Sequence, residues 1–143
     1  MTQPEIEHLI AEANAARARG TVHDAEAQLE ALFHHSTRLA VYGTLVPGRA
    51  NHHVIAPLGG EWQQGYVEGD LHPTGWGASL GYPALRLRPG GPRVAVHVLT
   101  TSRLPDAWPM LDGFEGPGYL RALAPILDDG RLVTVANVYE GRA

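Results

Sequence analysis

The chain has 143 residues and a formal net charge of −4 with no basic run. That suits one domain with a real core and argues against nucleic acid or an anionic membrane surface as partner. There is no cysteine and no lysine, all eleven basic residues being arginine, which excludes disulfides, thiolate nucleophiles, Cys-ligated zinc, Schiff-base chemistry and a P-loop lysine.

No apolar run approaches the length of a membrane span, and the N-terminus is acidic where a signal peptide would be basic, so a cytoplasmic location is expected. Thr2-Gln3-Pro4-Glu5 reads as a helix start: a Thr cap, Pro in the first turn, Glu three residues after the cap. Ile6, Leu9, Ile10 and Ala13 form one apolar face, and Gly20 ends the helix. Thr21-Val22-His23-Asp24 opens a second helix with Ala25, Leu29, Leu32 and Phe33 on one side. Residues 1–36 are thus expected to be an N-terminal helical pair, set before a second unit over 37–143. The pair would cover the core or a partner surface, a homodimer among the options.

Arg38-Leu39-Ala40-Val41-Tyr42 predicts a short strand that runs into Gly43-Thr44-Leu45-Val46-Pro47-Gly48. Such a loop can aim successive backbone N–H groups at an anion. Asn51 to Ile55 predicts a short helix or turn. The pairs His34-His35 and His52-His53 lack metal-ligand spacing, because adjacent residues point to different faces, so structural hydrogen bonds are expected of them. Beyond Trp62 the chain is β-rich, with strands predicted at 64–71, 82–87 and 94–99. Residues 104–111 predict a short helix carrying Trp108. Strands at 122–127 and 131–139 flank a turn at Asp128-Asp129-Gly130. Short, closely spaced strands with few helices between them predict a small, mostly antiparallel barrel or sheet.

Gly77-Ala78-Ser79-Leu80-Gly81 matches G-x-S-x-G, but Gly81-Tyr82-Pro83 prevents the helix that a nucleophile elbow needs, and no acid lies between Ser79 and His97. The more informative stretch is Leu111-Asp112-Gly113-Phe114-Glu115-Gly116-Pro117-Gly118-Tyr119-Leu120-Arg121. Its glycines and proline predict a shaped turn rather than helix interior. That places Glu115 on a turn between two elements and makes Asp112 a helix cap. Glu68 and Asp70 are strand acids with no evident partner.

Val41-Tyr42-Gly43-Thr44-Leu45-Val46-Pro47-Gly48, Asn51-His52, Gly81-Tyr82-Pro83-Ala84-Leu85, Leu111-Asp112-Gly113-Phe114-Glu115-Gly116 with Tyr119 and Arg121, and Ala136-Asn137-Val138-Tyr139 together resemble the gamma-glutamylcyclotransferase-like family. The resemblance covers about residues 38–141. It implies an α+β fold: a small mixed, mostly antiparallel β-barrel flanked by short helices. It implies an enzyme that cyclises a small γ-glutamyl amide to 5-oxoproline with release of the amine, without cofactor or metal. It makes Glu115 the general acid/base and the backbone of Tyr42, Gly43, Thr44 and Leu45 the binder of the α-carboxylate or oxyanion. Tyr42 and Tyr119 become wall and hydrogen-bonding residues, and Arg121 a structural ion-pair partner. The alternatives are a non-catalytic small-ligand module of the same fold and an accessory protein acting through its N-terminal helices.

Overall fold

The computed structural model describes residues 1–72 and 84–142. The G-x-S-x-G match at 77–81, the start of the strand expected at 82–87 and the Gly81-Tyr82-Pro83 part of the resemblance lie outside the described residues.

The first helix, α1 (Gln3–Ala18), opens with the capping box its sequence encodes: Thr2 Oγ1 accepts from the Glu5 N–H, and the Glu5 carboxylate accepts from the Thr2 N–H. Gly20, at φ +71°, carries the chain out of it. The second, α2 (Asp24–Phe33), is capped by His23, whose Nδ1 accepts from the Ala25 N–H at 2.9 Å. Ala25 and Leu29 are buried and Phe33 lies at the margin of their cluster, but Leu32 is 51% exposed. The expected apolar face of α2 is therefore one residue too wide: the apolar patch beneath the helix, Leu123 and Val135, is spent on Ala25 and Leu29.

Six strands follow among the described residues: β1 (Arg38–Val41), β2 (Glu61–His72), β3 (Ala84–Leu87), β4 (Arg93–Thr100), β5 (Tyr119–Asp128) and β6 (Arg131–Gly141). A third helix, α3 (Leu104–Glu115), separates β4 from β5. Strands β1, β4, β2, β3 and β6 close into a five-stranded mixed barrel, sealed where β1 meets β6 in parallel at Leu39↔Asn137. Strand β5 pairs antiparallel with β6 and reaches β2 at Tyr66↔Leu127. The barrel turns tightly at β2, where Gly69 is required: a Cβ there would lie 2.4 Å from the Arg86 carbonyl oxygen.

Alternation along the strands sorts side chains into an inner and an outer layer. Ala40, Val67, Leu85, Val96, Val98, Ala124, Ile126, Ala136 and Val138 fill the barrel. Leu39, Val41, Tyr119 and Tyr139 meet α3 through Leu104, Ala107, Trp108 and Leu111 on the outside. Further along the same β5–β6 hairpin, Leu123 and Val135 receive Ile6, Ile10 and Ala13 of α1.

The N-terminal helices are held to the barrel by polar contacts as well. The Asn14 side-chain amide bonds both backbone groups of Leu123, at 2.8 and 2.7 Å. Arg17 grips Glu26 with two nitrogens at 2.7 and 2.8 Å and donates through a third to Asn137 Oδ1 at 2.8 Å. Glu26 also bonds His35 Nε2 at 2.6 Å. Burial alone would push the Glu26 pKa up, but hydrogen bonds from His35 and Arg17, and their charges, outweigh it and bring it down to about 2. A depressed carboxylate stabilises the fold above its unfolded value, and the contribution is lost as pH falls through the folded value. A shift of this size is worth about 3 kcal/mol, and partial exposure of the pair reduces it to roughly 2. Glu26→Gln is expected to lower stability by roughly 2 kcal/mol at pH 7, with the deficit shrinking as pH falls from 4.5 toward 2. Denaturant melts of both proteins across that range check it.

Candidate active site

Helix α3 extends four residues past its expected end. Leu104, Ala107, Trp108 and Leu111 recur at helical spacing and are all buried, and this burial outweighs the poor propensities of Pro109 and Gly113. The turn predicted from the glycines does occur, but after Glu115 and not around it. Gly116 sits at φ +81°, ψ −177°, a backbone conformation open essentially only to glycine, and its N–H bonds the Asp112 carbonyl at 3.0 Å. Glu115 is thus the last helical residue, projecting from a rigid element. A side chain at position 116 would force the backbone out of this conformation, so Gly116→Ala is expected to cost about 1–3 kcal/mol and to lower thermal stability measurably in a calorimetric scan.

Asp112 is not a helix cap. It faces the β5–β6 hairpin, where it accepts from the Tyr139 hydroxyl at 2.6 Å and pairs with the Arg121 guanidinium at 3.1 and 3.3 Å. Arg121 also stacks over the Trp108 ring at 4.4 Å. Burial and the bond to Asp112 push the Tyr139 phenol pKa up. The ion-pair role expected of Arg121 is present; those of Tyr139 and Asp112 were missed.

The loop after β1 faces the same cluster. Leu45 is buried with Leu111, Tyr119 and Tyr139. The loop is tied back on itself: Asn51 bonds Thr44 through its backbone N–H at 2.9 Å and its side chain at 3.0 Å, and His52 Nδ1 bonds the Leu45 carbonyl at 2.9 Å. The N–H groups of Gly43, Thr44 and Leu45 donate to no carbonyl among the described residues. Successive backbone N–H groups of such a loop can bind an anion. The Tyr42 hydroxyl, in contrast, is spent on the scaffold: it donates to the Tyr139 carbonyl at 2.7 Å and accepts from the Leu85 N–H at 3.1 Å. That position fits a wall and does not leave the hydroxyl for a ligand. Tyr119 is buried in the adjoining cluster.

Glu115 lies where these parts converge, and its negative charge reaches both Tyr42 and Tyr139. Among the described residues no side chain hydrogen-bonds or ion-pairs its carboxylate. Burial pushes its pKa up to about 7. The histidine pairs do not join this group: His35 is held by Glu26, and His52 by the loop backbone.

The arrangement can therefore keep a carboxyl group poised to exchange a proton near neutral pH in reach of Tyr42 and Tyr139. Residues 39–142 match the family model described as "Gamma-glutamyl cyclotransferase, AIG2-like". The chain belongs to that family. The match begins after α1 and α2, so the helical pair stands outside it. No curated protein matches the chain. Among solved structures, the uncharacterized protein PH0828 from Pyrococcus horikoshii is 18% identical with a TM-score of 0.55, the likeness covering 75% of this chain and 79% of that one. An AIG2-like protein from Mus musculus is 24% identical with a TM-score of 0.54, covering 73% and 76%. Kluyveromyces lactis allophanate hydrolase is 14% identical with a TM-score of 0.52; here the likeness covers 74% of this chain and only 17% of the hydrolase. These likenesses show the fold alone. Among the described residues no helix is long and apolar enough to cross a membrane.

A carboxyl group with a raised pKa stabilises the fold below its unfolded value, and that contribution is lost as pH rises through the folded value. Glu115→Gln removes the ionisation. The variant is expected to melt close to wild type at pH 5 and at higher temperature than wild type at pH 8, by roughly 2 kcal/mol. Equal melting differences at both pH values would contradict the burial of this carboxylate.

Proposed function

We propose that this protein cyclises a γ-glutamyl amide to 5-oxoproline and releases the amine, with Glu115 as general acid/base. The observation that supports the reading is the half-buried Glu115 carboxyl at the end of α3, its pKa pushed up to about 7 by lost hydration, with its charge reaching Tyr42, the residue before the 43–45 loop, and Tyr139.

The chemistry follows from the substrate. Its nucleophile is its own α-amine, which is mostly protonated at neutral pH. Transferring a proton from an amine of pKa about 8 to an ordinary glutamate at about 4.3 is uphill by about 5 kcal/mol. Against a carboxylate near 7 the cost falls to about 1.4 kcal/mol. The freed amine then attacks the γ-carbonyl carbon, forming the ring C–N bond, and the ring nitrogen sheds its second proton to solvent. The tetrahedral oxyanion collapses, the original amide C–N bond breaks, and the protonated Glu115 returns its proton to the departing amine, which takes up a further proton from solvent once released. Because both reacting groups belong to one molecule, the site's main task is to hold the glutamyl chain bent. The N–H groups of Gly43, Thr44 and Leu45 would anchor the α-carboxylate or the developing oxyanion, with Tyr42 and Tyr119 as walls. None of these steps calls on a cofactor or a metal ion.

Glu115→Gln is expected to reduce release of 5-oxoproline from a panel of γ-glutamyl amides by about 10²–10⁴-fold while remaining folded. In wild type the cycle starts from an ionised Glu115 and a protonated substrate amine, so kcat/KM should rise with pH through about 7 and fall again as the amine, of pKa about 8, loses its proton. Undiminished turnover in the variant would remove Glu115 from the mechanism. No turnover by either protein on any γ-glutamyl amide would sink the reading.

A further inference from the structure

We propose that Asp112 is a positioning residue for Glu115: gripped by the Tyr139 hydroxyl and the Arg121 guanidinium, it pins the last turn of α3 and with it the position of the Glu115 carboxyl. The kinetic part of this inference rests on the function proposed above; the positional part does not.

The last turn of α3 has little else to hold it. Leu111 is the final residue anchored in the core, and Asp112, Gly113 and Phe114 are all exposed. Gly113 contributes no side chain, and Pro109 removes one backbone N–H from the turn before. Helix ends of this composition fray unless tied down. Among the described residues, the side-chain bonds from this turn to the barrel are those of Asp112.

The tie is well built for the purpose. Arg121 and Tyr139 stand directly opposite each other on β5 and β6, so Asp112 is fastened across two paired strands. The face of Arg121 packs on Trp108, one turn earlier in α3, so the same guanidinium grips the helix at two levels. The carbonyl of Asp112 accepts the Gly116 N–H, so fixing Asp112 also fixes the cap immediately after Glu115. Arg17 of α1 donates to the Arg121 carbonyl at 3.3 Å, which ties the N-terminal helices to the same point. Among the described residues, the titratable groups that feel the Glu115 charge are Tyr42 on the loop and Tyr139 on β6; Tyr139 is in turn faced by Asp112 and Arg121, and Tyr42 by Tyr119 and Glu140. If the last turn loosens, the Glu115 carboxyl gains water and its titration moves back toward that of an ordinary glutamate.

The test uses the full chain as wild type, Asp112→Ala, Tyr139→Phe and Asn14→Ala, the last being a destabilising change at the remote contact between α1 and Leu123. Carboxyl-carbon NMR titration follows Glu115, assigned by its loss in Glu115→Gln, and kcat and KM are measured for 5-oxoproline release. The expected result is that Asp112→Ala and Tyr139→Phe shift the Glu115 midpoint from near 7 toward 4.5 and lower kcat about 10- to 100-fold with little change in KM. Asn14→Ala should leave the midpoint and kcat unchanged. An unmoved midpoint in folded Asp112→Ala or Tyr139→Phe overturns the inference, as does a rise in KM with kcat intact. Should Asp112→Ala fail to fold, Tyr139→Phe, which removes one oxygen atom, decides the matter. Should wild type release no 5-oxoproline, the functional reading falls and the titration alone decides the positional claim.

Discussion

The β5–β6 hairpin is the part on which everything else rests. Its inner face supplies Ala124, Ile126, Ala136 and Val138 to the barrel interior. Its outer face is divided between two tenants. Leu123, Val135 and Asn137 receive the N-terminal helices, while Tyr119, Arg121 and Tyr139 receive α3. A strand pair buried on both faces gives each attached element a close-packed, stiff base. The site is therefore built on rigid elements, with the carboxyl on a helix end and the donors on a loop tied to itself and to the barrel.

The energetics of the two half-buried carboxylates, Glu26 and Glu115, run in opposite directions. Both lose hydration. Glu26 regains more than it lost, from Arg17 and His35, and its charge is locked in place as a structural fastener. Glu115 has burial as the sole cause acting on it and is left close to the point where it can take or give a proton at neutral pH. An acid kept without compensation costs stability, and the fold offsets that cost with apolar burial along α3 and with the grip on Asp112.

Tyr42 shows how a residue can belong to the site without its polar atom doing chemistry there. Its ring adjoins the barrel core, and its hydroxyl joins β6 to β3. Burial pushes that phenol's pKa up, so it stays a neutral wall beside Glu115 across the working range. In the proposed reaction, polar recognition at this end of the site would fall to the backbone N–H groups of Gly43, Thr44 and Leu45, not to the tyrosine's oxygen.

Much of this protein could be read from local patterns. The capping box at Thr2 and Glu5, the alternating runs of β4 and β6, and the turn at Asp128-Asp129-Gly130 are decided by neighbours in the chain, and each element formed near its expected place. The ordered motifs around Tyr42, Glu115 and Tyr139 sufficed for the family. What only the tertiary structure decided lies where distant burial overrules local preference. Gly113 argued against helix, yet the burial of Leu111 carries α3 on to Glu115. The partner of Asp112 depended on strand register. Counting back along the hairpin from Asp128↔Arg131 without interruption would set Arg121 opposite Val138. The irregularity at Ile126/Leu127 shifts the pairing by one and sets it opposite Tyr139 instead. One residue of slip exchanges the inner and outer faces of a strand, so no count of turn residues could have found the three side chains that meet at Asp112. The raised pKa of Glu115 is of the same kind, since it comes from how much water the folded chain excludes around a carboxyl group that the sequence shows only as one acid among fifteen.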